Sequence, residues 1–123
     1  MAVDMYTVKR RKESEDVIVI DSREEKRYLG IQEPIDRVAG HIPGAINVFW
    51  KGVLDEKGHW KSVDELQSHF QNLDRNKEII VYCGSGVTAC PNILGLKEAG
   101  FKKVKLYAGS WSDWCSYPEN PVG

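Results

Sequence analysis

Long apolar runs are missing from this chain. No stretch approaches the roughly 20 apolar residues that a helix needs to cross a bilayer. No apolar core of a signal peptide follows the basic run Lys9-Arg10-Arg11-Lys12, which reads instead as a solvated lead-in. An excess of one charge is also missing. Lys and Arg total 17 against 18 Asp and Glu, a net charge of −1, so neither nucleic acid nor an anionic membrane is called for as a partner. Cysteine is scarce. Three residues, Cys83, Cys90 and Cys115, make an odd number at spacings that fit no zinc pattern. With no export signal, the expectation is a cytoplasmic protein with reduced thiols and neither metal nor cofactor. Internal repeats and low-complexity tracts are absent too.

What remains is 123 residues of ordinary globular composition, enough for one domain with a real core. Residues 1–16 are polar and read as a lead-in or linker. Residues 17–123 read as the domain. Val17-Ile18-Val19-Ile20 and Ile79-Ile80-Val81-Tyr82 are continuous apolar runs, the mark of strands buried on both faces. Val104 to Tyr107 reads as another strand, and Ala45 to Trp50 as a short one. Glu24 to Tyr28 suits a short helix. Ser62-Val63-Asp64-Glu65 is a capping box opening a helix to about Asn72, with Val63, Leu66, Phe70 and Leu73 as its inner stripe. Lys51 to Lys61 reads as a hairpin-like excursion. Thr88 to Ala99 reads as a helix with Thr88 as N-cap, Pro91 in its first turn and Gly100 as its stop. Strands alternating with helices predict an α/β fold with a mainly parallel central sheet flanked by helices.

The stretch from Ile79 to Ala89 organises the rest. A strand ends in Cys83, two glycines follow within three residues, and a helix begins. Backbone N–H groups curled around the sulfur, with a helix N-terminus behind them, favour the thiolate, which is the reactive form. The plain alternative is a buried strand-end cysteine beside an ordinary turn. In open parallel sheets ligands sit at the carboxyl ends of strands. Cys83 and the Asp21-Ser22-Arg23 turn both occupy such ends.

Cys83-Gly84-Ser85-Gly86-Val87-Thr88-Ala89 resembles the active-site loop of rhodanese-type sulfurtransferases, more narrowly that of the mercaptopyruvate enzymes. Asp21-Ser22-Arg23, Arg27-Tyr28-Leu29-Gly30, Gly40 to Asn47 and Tyr107 to Trp114 are similar to further family segments, in the family's order. The resemblance implies a rhodanese-like domain in which Cys83 takes a sulfane sulfur from 3-mercaptopyruvate or thiosulfate. The resulting persulfide passes it to a thiophilic acceptor such as cyanide or a thiol. It implies donor-binding roles for Arg27 and Arg37, whose planar cationic forks match a carboxylate or oxyanion. Ser85 is implied to hydrogen-bond substrate or a leaving enolate, within a loop of Gly84, Ser85, Gly86, Val87 and Thr88. Asp21, Arg23 and His41 are implied supports, the first two as an ion pair. Trp111 and Trp114 match a segment near the family's pocket, or are core. His59 and His69 are expected to be exposed.

The resemblance covers only the C-terminal half of two-domain sulfurtransferases. A second rhodanese domain is therefore one implied partner, and a single-domain protein with a more open site is the other reading. A non-catalytic rhodanese-like binding module, or a persulfide carrier in a larger protein, is the alternative function. A cysteine phosphatase is excluded by the loop. That chemistry needs Cys, five residues, then Arg, and no basic residue lies between Cys83 and Lys97.

Overall fold

The computed structural model describes residues 2–84 and 88–123. Five parallel strands form one sheet in the order β1-β5-β4-β2-β3. They are β1 (Ala2–Val3), β2 (Val17–Asp21), β3 (Ile46–Asn47), β4 (Glu78–Tyr82) and β5 (Val104–Tyr107). Between them come α1 (Met5–Arg11), α2 (Glu25–Tyr28), a 3-10 turn at Trp50–Val53, α3 (Val63–His69) and α4 (Cys90–Glu98). The helix α5 (Ser110–Trp114) follows β5. Helices cover both faces of the sheet, the α/β architecture that the alternating pattern predicts. Among the described residues no helix is long and apolar enough to cross a membrane.

The side-chain period of two explains why β2 and β4 read as continuous apolar runs. On one face, Ile20, Ile79 and Val81 pack with Leu66, Phe70, Leu96 and Phe101 from the α3 and α4 side. On the other, Val17, Val19, Ile80 and Tyr82 pack with Met5, Val8, Trp111 and Trp114 from α1 and α5. Full burial of residues such as Ile79 and Ile80 stabilises the fold by roughly 1.5–3 kcal/mol each. Both tryptophans are core residues. Their indole N–H groups donate to the Val38 and Pro121 carbonyls, each at 2.9 Å, so neither buries an unmet donor.

Several elements differ from expectation. Residues 2–11, read as lead-in, supply an edge strand paired to β5 and a helix whose Met5 and Val8 are core. The basic run forms the last turn of α1, where it complements the helix dipole. The Ser62 capping box forms as read, yet α3 ends at His69 and Val63 stays exposed. Position 63 lies in the first turn, before the helix meets the core. His69 is half-buried with its ring against Gly52, and burial lowers its pKa. The strand expected from Ala45 shrinks to two residues because the chain turns at Trp50. The excursion after Lys51 closes with the expected hairpin-like bridge, Leu54 to Trp60. Thr88 is exposed and does not cap α4, which begins at Cys90 with Ala89 as N-cap and no side-chain cap bond. Pro91 sits in the first turn, as expected.

Candidate active site

β2 and β4 are neighbours in register, with Asp21 beside Tyr82. Their carboxyl ends therefore deliver the Asp21-Ser22-Arg23 turn and Cys83 to the same place. Ser22 N–H donates to the Tyr82 carbonyl at 2.8 Å, fixing the two ends together. The start of α5 closes behind them: Trp111 N–H donates to the Cys83 carbonyl at 2.9 Å and Ser112 N–H to the Gly84 carbonyl at 3.0 Å. Cys83 is buried, and its N–H donates to Ser110 Oγ at 3.0 Å. That hydroxyl in turn donates to the Tyr107 carbonyl at 2.9 Å and lies 3.9 Å from Cys83 Sγ. Ser110 holds this position with a φ of 58°, in the left-handed region that non-glycine residues rarely adopt.

The expected Asp21–Arg23 pair forms and is almost wholly buried. Arg23 Nη2 sits 2.7 Å from Asp21 Oδ2, and Nε reaches both carboxylate oxygens at 3.1 and 3.2 Å. The rest of the guanidinium donates to the Gly40 carbonyl at 2.6 Å and Glu33 Oε1 at 3.3 Å, and it stacks 5.1 Å over Trp111. Burial works against the Arg23 charge, but the bonds to Asp21 outweigh it and raise its pKa. Burial, then the Asp21 charge, pushes the Tyr82 hydroxyl well above its ordinary value, so Tyr82 stays neutral. The neutral hydroxyl accepts from Ile42 N–H at 3.1 Å.

Arg27, on α2, reaches across to the cysteine loop. A Cβ placed on Gly84 would lie 3.2 Å from Arg27 Nη2 and 3.3 Å from Nη1, so glycine leaves the room the guanidinium fills. Arg27 Nη2 pairs with Glu33 Oε2 at 3.2 Å and lies 3.9 Å from Asp36 Oδ2, too long for a hydrogen bond. A cavity of about 250 Å³ opens here, lined by Arg27, Ile35, Asp36, Gly84, Thr88 and Ser112. Among the described residues Arg27 Nε and Asp36 Oδ2 are buried without hydrogen-bond partners. A larger apolar groove, lined by Trp60, Val63, Leu66 and Leu94, shares no residue with this cavity.

The structure thus brings together Cys83, Gly84, Thr88, Asp21, Arg23 and Arg27. Arg37 is exposed on the loop of residues 30–40 and does not line the cavity. His41 serves that loop: Nδ1–H donates to the Tyr28 carbonyl at 2.8 Å, and its ring stacks on Tyr28 at 4.0 Å. Ser85, Gly86 and Val87 lie outside the described residues, and with them most of the expected ring of N–H donors. Sequence reasoning missed Glu33, Asp36, Ser110 and Asn92. Asn92 is buried on α4 and donates to Ser22 Oγ at 2.9 Å and the Val48 carbonyl at 2.7 Å. A polar residue among the inward positions of α4 was its one signal. Burial, then the Asp36 charge, raises the Cys115 pKa, which disfavours its thiolate.

The chain is 40% identical over 125 residues to a probable 3-mercaptopyruvate sulfurtransferase of Pseudomonas aeruginosa, covering 99% of this chain and 44% of that protein. It is 40% identical over 111 residues to human 3-mercaptopyruvate sulfurtransferase, covering 87% and 37%. A putative thiosulfate sulfurtransferase of Mycobacterium tuberculosis is 41% identical over 109 residues, covering 87% and 38%. The chain thus spans less than half the length of these relatives. An anaerobic ergothioneine biosynthesis enzyme from Chlorobium limicola superposes with a TM-score of 0.89 at 25% identity, over 98% of this chain and 31% of that one. The family model described as a rhodanese-like domain matches residues 4–117, and the chain belongs to that family.

Proposed function

We propose that the protein is a sulfurtransferase working through a Cys83 persulfide. The Cys83 thiolate attacks the sulfur of 3-mercaptopyruvate. The S–S bond forms as the C–S bond breaks, and the bonding pair leaves as the pyruvate enolate, which then takes a proton. With thiosulfate, the bond broken is S–S and sulfite leaves. A thiophilic acceptor then attacks the terminal sulfur and returns Cys83 to the thiolate. Arg27 is the donor anchor, its fork holding a carboxylate or oxyanion beside the sulfur. The Asp21–Arg23 pair and His41 act only by holding the surrounding turns.

The observation that carries this reading is the Arg27 guanidinium lying against Gly84, one residue past Cys83, in a cavity able to take a small anion. The names of the relatives support it. The uncharged residues after Cys83 in the sequence favour 3-mercaptopyruvate over thiosulfate, because no lysine or arginine there offsets a second negative charge. Intact mass after donor treatment is the test. Wild type, Cys90→Ser and Cys115→Ser each gain one sulfur and transfer it to cyanide, while Cys83→Ser does neither. Normal turnover by Cys83→Ser overturns the assignment. A persulfide that forms but passes to no small acceptor indicates a carrier.

A further inference from the structure

The loop of residues 30–40 places two carboxylates beside an arginine assigned to bind an anion. Glu33 is a hub. Its Oε1 accepts from Arg23 Nη1 at 3.3 Å. Its Oε2 accepts from Arg27 Nη2 at 3.2 Å and from the N–H groups of Ile35 and Asp36 at 3.1 and 3.0 Å. Its side chain is 6% exposed. Arg23 is itself locked to Asp21 and the Gly40 carbonyl, so Glu33 ties Arg27 to a fixed point. Asp36 is anchored separately. Its Oδ1 accepts from Ser112 Oγ at 2.8 Å, and Ser112 N–H holds the Gly84 carbonyl. Its other oxygen faces Arg27 at 3.9 Å.

The connected charges around the cavity are three carboxylates, Asp21, Glu33 and Asp36, and two guanidiniums, Arg23 and Arg27. Their formal sum is −1. Arg27 therefore offers a donor its fork geometry but little uncompensated charge. One carboxylate on the ligand can use the fork. A second negative charge meets Glu33 and Asp36 at short range, where partial burial weakens solvent screening.

We propose that Glu33 is a positioning and specificity residue. It fixes the Arg27 fork against Gly84 and, with Asp36, offsets its charge, so that the cavity selects singly charged carboxylates over dianions. The choice of donors in the test rests on the sulfur-transfer reading; the anion selectivity does not.

The experiment measures kcat/KM for 3-mercaptopyruvate and thiosulfate in wild type, Glu33→Gln and Glu33→Asp. Binding of pyruvate and of sulfate, unreactive probes of one and two charges, is measured in parallel by calorimetry. Glu33→Gln shifts the donor ratio toward thiosulfate by at least about tenfold, carried by KM, and shifts the probe ratio toward sulfate. Glu33→Asp keeps the charge but shortens the reach, so KM rises for both donors while their ratio stays near wild type. A residue that merely braces the loop lowers both activities together, and an unchanged ratio in Glu33→Gln overturns the proposal. Should Glu33→Gln fail to fold, Asp36→Asn carries the test. It removes a charge near Arg27 while leaving the Glu33 bridge, and gives a smaller shift in the same direction. An unchanged ratio there is equally fatal. If wild type turns over neither donor, the sulfur-transfer reading falls, and the pyruvate-to-sulfate ratio still decides the role of Glu33.

Discussion

Arg23 and Arg27 are four residues apart and live in opposite settings. The Arg23 corner is closed: its side chain is 1% exposed, its donors meet Asp21, Gly40 and Glu33, and Trp111 covers its face. The Arg27 cavity is open: the side chain is 19% exposed, its Nε has no hydrogen-bond partner among the described residues, and its carboxylates stand at 3.2 and 3.9 Å. Both share Glu33. Where every donor is met, the arginine serves the fold. Where a donor is left over and the side chain lines a cavity, the arginine is the one to which the proposed function gives the sulfur donor.

The sharpest way to break that contrast is Arg23→Ala. It strands Asp21 as a buried, uncompensated charge, which costs about 3–5 kcal/mol. Thermal unfolding should show Tm falling by more than about 10 °C. A loss under about 1 kcal/mol would show that the corner is not the rigid partner. Next comes Arg27→Ala. Stability should fall by only about 1–2 kcal/mol, since Glu33 keeps Arg23 and two backbone N–H donors and Asp36 keeps Ser112, while the donor KM rises by about tenfold or more. Unchanged activity at low donor concentration would make Arg27 a surface residue. The smallest effect is in pH. Burial raises the Glu33 pKa, but the Asp36 and Ile35 N–H groups and Arg27 outweigh it and hold it below the ordinary 4.5. The folded value is the depressed one, so the Glu33 contribution is complete above about pH 4.5 and is lost as pH falls through the folded value. Urea titrations should show the gap between wild type and Glu33→Gln constant from pH 5 to 7 and shrinking below about 4.5. A gap that widens on acidification reverses the sign and refutes it.

The sequence was most legible where one force dominated. The β-branched runs at Val17 and Ile79 announce strands because burial on both faces needs no partner to be recognised. Ser62 and Glu65 announce a helix start because a capping box is local. Asp21 with Arg23 could be paired on sight, being opposite charges two residues apart at a strand end. Legibility failed where the deciding partner is distant. Ala2 and Val3 look like tail until Leu106 and Tyr107 are beside them. Thr88 looks like a cap, but the helix starts two residues later. Glu33 and Asp36 look like loop solubility until Arg27 and Ser112 arrive from other elements. Ser110 sits in a segment recognised by its tryptophans, and nothing local marks its hydroxyl as the acceptor for Cys83 N–H.

The strand order also bears on how the chain reaches this state. Among the described residues every pairing in the sheet is parallel, so no two of its strands close through a tight turn. β1 finds its partner only once Leu106 and Tyr107 exist. Within this domain, Ala2 and Val3 are made long before β5 and wait for nearly all of it, while β2 pairs with β3 early and must wait for β4. Such non-local closure is slow, because loop entropy is lost before contacts compensate it. Until β5 arrives, the nascent chain exposes an apolar β4 edge, and it is then that the domain is most open to aggregation or chaperone capture.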